Sequence, residues 1–317
     1  MPFPNFFFFL LMFSIIFAVS STSWFLVWVS LEINTISFLA LIFNENNKFS
    51  SDSCFKYFFV QSISSSVLIF SSQYIFNFNM FPILMTLAII LKLGAAPFHF
   101  WFISMMQNSS WIPCLILSTL QKFIPLSLLL MSNFKFMNLF IFSSAIMGSI
   151  GGLNQTNLKS LLAFSSISHI GWMLSTLNTS SLLPLIYLSL YSFLILPIIF
   201  IFNKYSLISS KMINSLPKRE QTFTFTLLLS LGGVPPLLGF FPKWMMIYHL
   251  IHTSFMIPII LILSSILNLY FYIRITYGVI LMNSTSPSPN LLPSFPTPLP
   301  IALSLSLLTL PIFPFIY

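Results

Sequence analysis

The fold of this chain is decided by the stretch Leu91-Lys-Leu-Gly-Ala-Ala-Pro-Phe-His-Phe-Trp101. It follows an apolar run over residues 81–90, and together they predict a membrane-spanning helix that meets a Gly/Pro break. Lys92 therefore lies well inside the membrane, where a charge costs at least about 2.5 kcal/mol on insertion scales. A lysine at this depth is a candidate functional group, and the rest of the sequence should supply its partners.

The composition is that of an integral membrane protein. Of 317 residues, 57% are hydrophobic and only 5% are charged, and the mean hydropathy is +0.98. A typical soluble domain has about 25% charged residues. At about 20 residues a span, the chain could hold ten or more helices with almost nothing left over. We therefore predict an all-α polytopic membrane protein in which residues 1–317 form a single transmembrane domain.

Several classes of function are excluded by the same residues. The net charge of +8 is scattered through short loops, which is not the basic stripe of a nucleic-acid-binding protein. Cys54 and Cys114 are too few for a four-thiolate iron–sulfur cluster or a disulfide scaffold. A haem would need facing histidines, and His249 and His252 lie three residues apart, near a predicted membrane exit. We expect no cofactor and no metal on this chain.

Apolar runs predict about eleven transmembrane helices. The amino terminus lacks the features of a cleaved signal and is read as the first span. The segment 282–298 is Pro/Ser-rich and is predicted to be a linker before the last helix. The predicted spans are 4–21, 23–43, 55–75, 78–96, 111–131, 136–153, 158–177, 181–203, 221–251, 255–278 and 299–316.

The ninth span is longer than one crossing requires. It carries Leu231-Gly-Gly-Val-Pro-Pro236 at its middle, which is typical of a discontinuous helix lining an ion path.

The positive charges predict the orientation. Cytoplasmic or matrix loops carry an excess of Lys and Arg. If the amino terminus lies on the positive side, the loops there hold seven such residues and Arg274 flanks another of them, which makes eight, whereas the opposite loops hold only Lys135. For an inner mitochondrial membrane, the amino terminus is then on the matrix side. The eight are Lys48, Lys56, Lys159, Lys204, Lys211, Lys218, Arg219 and Arg274.

After the charges assigned to loops and span ends are set aside, four charged residues and one histidine remain as candidates within the spans: Glu32, Lys92, Lys122, Lys243 and His169. Removal from water favours the neutral form of a lysine, whereas a neighbouring carboxylate favours the charged form. A row of such lysines could pass protons. A histidine gains and loses a proton near neutral pH, so His169 could bridge two lysines through water.

Each of these residues also has a purely structural interpretation. Lys243 could extend to the membrane surface, since lysine stems often lie along apolar surface with the charge in water. Glu32 and Lys92 could form a static pair that only fixes helix packing. His169 could be an interhelical hydrogen-bonding group, and His99, beside a proline and amid aromatic residues, is expected to pack at the membrane interface.

Five sequence blocks resemble a known family. In order between about residues 20 and 278, they are similar to the subunit 2 family of mitochondrial NADH:ubiquinone oxidoreductase, respiratory complex I. The blocks are Trp28-Val-Ser-Leu-Glu-Ile-Asn34, Leu91-Lys-Leu-Gly-Ala-Ala-Pro-Phe-His-Phe-Trp101, Gly151-Gly-Leu-Asn-Gln-Thr156, Leu161-Leu-Ala-Phe-Ser-Ser-Ile-Ser-His-Ile-Gly-Trp-Met173 and Ser230-Leu-Gly-Gly-Val-Pro-Pro-Leu-Leu-Gly-Phe-Phe-Pro-Lys-Trp244.

The resemblance implies an antiporter-like fold and roles for particular residues. The family's glutamate matching Glu32 pairs with the lysine matching Lys92 on a broken helix. The lysine matching Lys122 is central, and the one matching Lys243 faces the outlet on a second broken helix. The resemblance extends to a proton-transfer role for His169. Animal members lack three leading helices of bacterial relatives, which agrees with about eleven spans.

The resemblance also implies a setting in the inner mitochondrial membrane. The chain would be a membrane-arm subunit that takes part in proton translocation driven by electron transfer from NADH to ubiquinone. Flavin and iron–sulfur clusters would lie on other subunits. Expected partners are an adjacent antiporter-like subunit, small core membrane subunits, accessory subunits and lipids, in an obligate hetero-oligomer.

Two other functions remain open at this point. One is a stand-alone cation/proton antiporter, and the other is a structural membrane spacer. Sites for metal cations such as Na⁺ need hard oxygen ligands. Glu32 is the one carboxylate within the predicted spans, which favours protons over a metal cation.

Overall fold

The computed structural model describes residues 4–43, 48–73, 81–131, 137–177 and 182–283. Within these ranges the chain forms thirteen α-helices and one 3₁₀ helix, Ser210–Ser215, and no strand. The helices are α1 Pro4–Ser20, α2 Trp24–Phe43, α3 Lys48–Gln73, α4 Phe81–Leu93, α5 Phe100–Asn108, α6 Trp111–Ser118, α7 Leu120–Leu130, α8 Met137–Gly152, α9 Leu158–Ser175, α10 Leu183–Lys204, α11 Lys218–Gly232, α12 Phe240–Ile251 and α13 Met256–Asn283.

The all-α prediction is confirmed, and the helices follow the predicted spans closely. Ten predicted spans have a counterpart, and three of these counterparts consist of two helices each, which gives the thirteen. The eleventh predicted span, 299–316, lies outside the described residues, so the total of eleven stays a prediction. The predicted linker 282–298 begins inside α13 and otherwise lies outside them as well.

Five helical segments in the described part of the chain are long and apolar enough to cross a membrane unaided. They are Trp24–Phe43, Ser51–Ser72, Trp111–Leu130, Leu183–Lys204 and Met256–Gly278. Several other crossings are shorter or interrupted. Such helices are tolerated in a bilayer only where neighbouring groups satisfy the freed backbone atoms.

The first interruption falls between α4 and α5, at residues 94–99. Gly94 has a φ of +70°, and Pro97 has no N–H to continue the helix. The exposed carbonyls are satisfied locally: Trp101 Nε1 donates to Leu91 O at 3.1 Å, and Ser143 Oγ donates to Ala96 O at 2.8 Å. The predicted span ended at residue 96, inside this interruption, and the chain continues as helix α5 from Phe100. Lys92 therefore lies in the last turn of the helix that precedes the interruption.

The second interruption separates α6 from α7 at Thr119, and the sequence analysis did not predict it. Thr119 has φ −119° and ψ −77°, and its hydroxyl donates to Leu115 O at 2.7 Å. Pro125 lies inside α7 and removes another backbone donor. Lys122 is thus held between two irregular points in one crossing.

The third interruption, residues 233–239, divides α11 from α12 as the Gly-Gly-Val-Pro-Pro pattern predicted. The whole crossing runs over residues 218–251.

Helix α9 lies at the centre of the bundle. All of its residues except Lys159 and Phe164 are buried, and it packs against α5, α6, α8, α10, α12 and α13. A helix buried on every face belongs in the interior of a bundle. Its closest neighbour is α8, where a Cβ on Gly148 would lie 2.5 Å from Ser168 N, so only glycine permits this approach.

Loops that the distribution of Lys and Arg places on the positive side contact each other at one end of the bundle. Asn157 and Ser209 form an antiparallel bridge, and Arg274 Nη2 donates to Gln155 O at 3.2 Å. These loops share one end, although the membrane side they face is not fixed by these contacts. Several cations assigned to loops lie in helices instead: Lys56 lies inside α3, and the first or last turns of helices hold Lys48, Lys159, Lys204, Lys218 and Arg219.

Candidate functional site

The three predicted lysines are buried, each close to a helix interruption. Lys92 is 5% exposed in the last turn of α4, Lys122 is 1% exposed in the first turn of α7, and Lys243 is 5% exposed in the first turn of α12. The burial of Lys243 disfavours the alternative in which its ammonium lies in water at the membrane surface. With Glu32 and His169, these lysines are called the buried charge row below.

Lys92 shares a cavity with Lys122. Within the described residues, Lys92 Nζ has no hydrogen-bond partner. The cavity offers about 20 Å³ to water centres, which is room for about one water molecule between several polar groups. Its polar lining consists of Asn34, Thr35, Tyr57, Gln61, Lys92, Gln121 and Lys122.

Glu32 is half-buried on α2 and acts on this cavity at a distance. In the described part of the chain no ion pair within 4.0 Å joins it to Lys92. It is nevertheless near enough for electrostatic interactions with Lys92 and Tyr57. Thr35 Oγ1 donates to the backbone oxygen of Glu32 at 2.8 Å and lies 3.5 Å from its carboxylate. The structure thus brings Glu32 close to Lys92 without direct contact.

Neutral polar residues complete this end of the site. Gln121 Nε2 donates to Asn34 Oδ1 at 2.7 Å and so links α7 to α2 beside Lys122. Tyr57 is fully buried, with its ring 5.1 Å from Phe38. The sequence analysis missed these residues, although an amide inside an apolar span was a signal that could have found Gln121 and Asn34.

Lys122 is held mainly by aromatic faces. Its Nζ donates to Ser166 O of α9 at 3.3 Å. It also lies 5.4 Å from the ring centroid of Phe102 and 5.1 Å from that of Tyr191. Aromatic faces attract a cation through the ring quadrupole, more strongly where water is excluded. The ammonium can therefore be buried without a carboxylate partner.

His169 lies within electrostatic range of both Lys122 and Lys243. Its Nδ1 shares a 2.6 Å hydrogen bond with the hydroxyl of Tyr187, and its ring centroid is 4.9 Å from that of Tyr191. Its Nε2 has no partner among the described residues. The imidazole thus has one nitrogen fixed by a tyrosine and the other available to a proton carrier.

Lys243 binds the end of the preceding half-helix. Its Nζ donates to Gly232 O at 2.7 Å and to Leu231 O at 3.2 Å. These carbonyls belong to the last turn of α11, where the helix dipole favours a positive charge. Gly233 has a φ of +84°, and a Cβ there would lie 2.9 Å from Lys243 Nζ. Glycine is therefore required at 233 both for the turn and for the lysine.

Helix α13 brings polar groups to the space between His169 and Lys243. Asn268 Nδ2 donates to Ser168 Oγ, next to His169, at 2.7 Å. Tyr272 is fully buried, and its Cδ2 would lie 3.5 Å from a Cβ on Gly232, which bonds Lys243. The sequence analysis did not single out either residue.

The remaining histidines lie apart from the buried charge row. His99 is buried and stacks on Phe100 with ring centroids 4.4 Å apart, while its predicted place at the membrane interface stays a prediction. His249 and His252 each approach the ring of Tyr248, at 5.6 and 5.7 Å. No group of three potential metal ligands occurs within the described ranges.

Comparisons with known proteins agree with the resemblance in the sequence blocks. Residues 21–81 and 77–268 match the family described as NADH:quinone oxidoreductase/Mrp antiporter, TM. NADH-ubiquinone oxidoreductase chain 2 of Anopheles gambiae is 40% identical over 296 residues, which cover 88% of this chain and 86% of that protein.

Solved structures confirm the antiporter-like fold. A chain of respiratory complex I from Thermus thermophilus with bound aureothin superposes with a TM-score of 0.80 at 20% identity, covering 98% of this chain and 79% of that one. A chain of the Mrp complex from Dietzia sp. DQ12-45-1b gives a TM-score of 0.78 at 16% identity, covering 86% and 59%. The sequence identity over most of both proteins decides the family: the chain belongs to the NADH-ubiquinone oxidoreductase chain 2 family.

Proposed function

We propose that the chain is a core membrane-arm subunit of respiratory complex I and takes part in proton translocation across the mitochondrial inner membrane. Electron transfer from NADH to ubiquinone on other subunits would drive it. The observation that carries the proposal is the set of three lysines, each at most 5% exposed and each beside a helix interruption. Buried charges of this kind are costly and mark ion pathways in membrane proteins.

The proposed path begins at Lys92 and passes through the shared cavity to Lys122. A single water in that cavity could accept a proton from one ammonium and donate to the other amine. Gln121 and Tyr57 line the same space and could orient the water. Lys92 is suited to this role because, among the described residues, no hydrogen bond holds its ammonium in place.

The next step leads from Lys122 through His169 to Lys243. His169 interacts electrostatically with both lysines, and its Nε2 could take up a proton while Tyr187 holds Nδ1. When the neutral ring carries its proton on Nδ1, which then donates to the Tyr187 hydroxyl, Nε2 is the basic nitrogen. Nε2 would take a proton from Lys122 and pass the same proton to Lys243, while Tyr187 keeps the ring in this tautomer.

Glu32 is proposed to control the first lysine. A carboxylate close to an ammonium favours the charged form, and its withdrawal favours proton release. In this structure Glu32 is within electrostatic range of Lys92 but not in contact. A shift of α2 toward or away from α4 would therefore change the proton affinity of Lys92 without breaking a buried pair.

Lys243 is proposed to be the outlet. Two carbonyls of α11 stabilise its ammonium form, so release of the proton requires movement of α12 relative to α11. Half-helices that can shift against each other are the usual place for such a step.

The redox cofactors, flavin and iron–sulfur clusters, are proposed to lie on other subunits of the complex. The partners would be an adjacent antiporter-like subunit, small core membrane subunits, accessory subunits and lipids. The amino terminus would face the matrix, in accord with the eight-to-one distribution of positive charges.

A stand-alone cation/proton antiporter is the alternative, and the similarity to the Mrp fold favours it. The chemistry of the site argues against a metal cation. The sequence holds only four carboxylates, and only Glu32 belongs to the buried charge row. Hard cations need several oxygen ligands at once.

Purification distinguishes the two functions. The chain should co-migrate with a NADH-oxidising, megadalton assembly after mild solubilisation. Reconstituted alone in liposomes, it should move neither Na⁺ nor protons under an imposed gradient. Transport by the isolated chain would favour the stand-alone antiporter over the complex I subunit.

A further inference from the structure

We propose that a basic pocket at the loop end of α13 binds the phosphate group of an anionic phospholipid. The pocket has a volume of about 190 Å³ and lies between the α8–α9 loop, the 3₁₀ helix and α13. Its polar wall consists of Gln155, Thr156, Ser210, Lys211, Asn214 and Arg274. None of its lining residues belongs to the buried charge row, and it takes no part in the proposed proton path.

The pocket carries positive charge that no described carboxylate neutralises. In the part of the chain that the structure describes, the one ion pair is Lys204–Glu220, outside the pocket, so neither Lys211 nor Arg274 has an acidic partner. Arg274 Nη2 donates to Gln155 O at 3.2 Å, which orients the guanidinium and leaves its other donors available. Two cations with hydroxyls beside them are suited to a phosphate.

The depth of Arg274 in the membrane favours a lipid headgroup. Arg274 lies 18 residues after Met256, the first residue of α13, which is about 27 Å at the helical rise. The hydrocarbon core is about 30 Å thick, so the guanidinium reaches the level of the headgroups. Tyr277, 60% exposed one turn further, has the position of an interfacial aromatic anchor.

The helix face that leads to the pocket favours an acyl chain over a free anion. Ile266, Tyr270, Ile273 and Tyr277 follow each other at intervals of four, three and four, so they share one face of α13. They are 57%, 57%, 43% and 60% exposed. This apolar strip runs beside Arg274, so a phospholipid could place its tail along the strip and its phosphate in the pocket. Basic pockets between transmembrane helices bind anionic headgroups in this way.

The test uses the intact complex and a phosphatidylglycerol probe with a photoactivatable acyl chain. After delipidation in phosphatidylcholine micelles, the probe is titrated, and the yield of crosslinks to the peptide containing residues 266–277 is measured. Each cation near a headgroup contributes about 1 kcal/mol. Lys211→Gln and Arg274→Gln should therefore each raise the half-saturating probe concentration by about fivefold. Lys218→Gln, an exposed cation outside the pocket, should leave it unchanged.

Competition distinguishes the possible occupants. Unlabelled phosphatidylglycerol should displace the probe, whereas inorganic phosphate at the same concentration and phosphatidylcholine should not. Arg274→Lys keeps the positive charge and should retain most of the binding. This variant separates the effect of the charge from the effect of losing the guanidinium bond to Gln155 O. The proposal would be overturned if all variants had the same half-saturating probe concentration as the wild type. It would also be overturned if inorganic phosphate displaced the probe as well as phosphatidylglycerol does, or if a neighbouring subunit were crosslinked in the pocket.

Discussion

Lys122→Met should leave the complex assembled and abolish its contribution to proton pumping. Methionine keeps the length of the lysine stem and loses the ammonium. The structure gives this ammonium one hydrogen bond to Ser166 O at 3.3 Å and two aromatic faces, Phe102 and Tyr191. The Ser166 carbonyl belongs to the middle of α9, so the helix ladder still satisfies it after the change.

The effect of Lys122→Met on the free energy of unfolding can be estimated from these contacts. A hydrogen bond to a charged group contributes about 1.5–3 kcal/mol, and at 3.3 Å the lower end applies. Two desolvated cation–π contacts add about 1–2 kcal/mol each. The opposing cost of burying the ammonium is several kcal/mol. The terms nearly cancel, so Lys122→Met should change the free energy of unfolding by no more than about 2 kcal/mol.

The assay compares assembly with coupling in the same preparation. The amount of complex on a native gel and its thermal stability should match the wild type, while NADH-driven acidification of reconstituted vesicles and the linked quinone reductase activity should fall. Lys218→Met, an exposed residue at the start of α11, is the matched control. An assembled variant with the full ratio of protons to NADH would refute the relay. A variant that fails to assemble would refute the energetic reasoning.

Three further substitutions test other parts of the row. Lys92→Met should also preserve assembly and depress pumping, because its ammonium has no hydrogen bond to lose among the described residues; unchanged vesicle acidification would contradict a role at the entrance. Gly233→Ala should destabilise the α11–α12 turn by about 1–2 kcal/mol and move Lys243 off its carbonyls, which thermal unfolding and pumping assays would both detect. Tyr187→Phe removes the 2.6 Å partner of His169, so pumping should slow while assembly is retained; a wild-type rate would place the tyrosine outside the path.

The charged residues could be predicted because their cost is visible in the sequence. A lysine within a long, mostly apolar run stands out whatever the fold, so Lys92, Lys122 and Lys243 were all found. Whether each lysine is buried depends on the fold and could not be predicted from the sequence alone, as Lys243 shows. A lysine near a double proline fits the membrane surface equally well, until the α11 carbonyls are seen to surround it.

The neutral partners were missed for a physical reason. Tyrosine is common in membrane helices and carries both an apolar ring and a hydroxyl, so its sequence context does not reveal whether the hydroxyl faces lipid or a buried site. Tyr57, Tyr187 and Tyr191 are each at most 2% exposed, which only the packing of distant helices decides. The break at Thr119 is similar: it contains neither Gly nor Pro, and its cause is tertiary.

The three lysines differ in which groups stabilise their ammonium forms. Within the described residues Lys92 has no hydrogen bond but lies within electrostatic range of Glu32, Lys122 has one hydrogen bond and two aromatic faces, and Lys243 has two hydrogen bonds to the negative end of a helix. Each hydrogen bond to an ammonium favours the protonated form. Release of a proton from Lys243 therefore requires α12 to move away from the α11 carbonyls. If the contacts of Lys243 served packing alone, exchanging it for arginine, which keeps the charge, would leave pumping intact. A relay requires that residue to release its proton, and arginine does not.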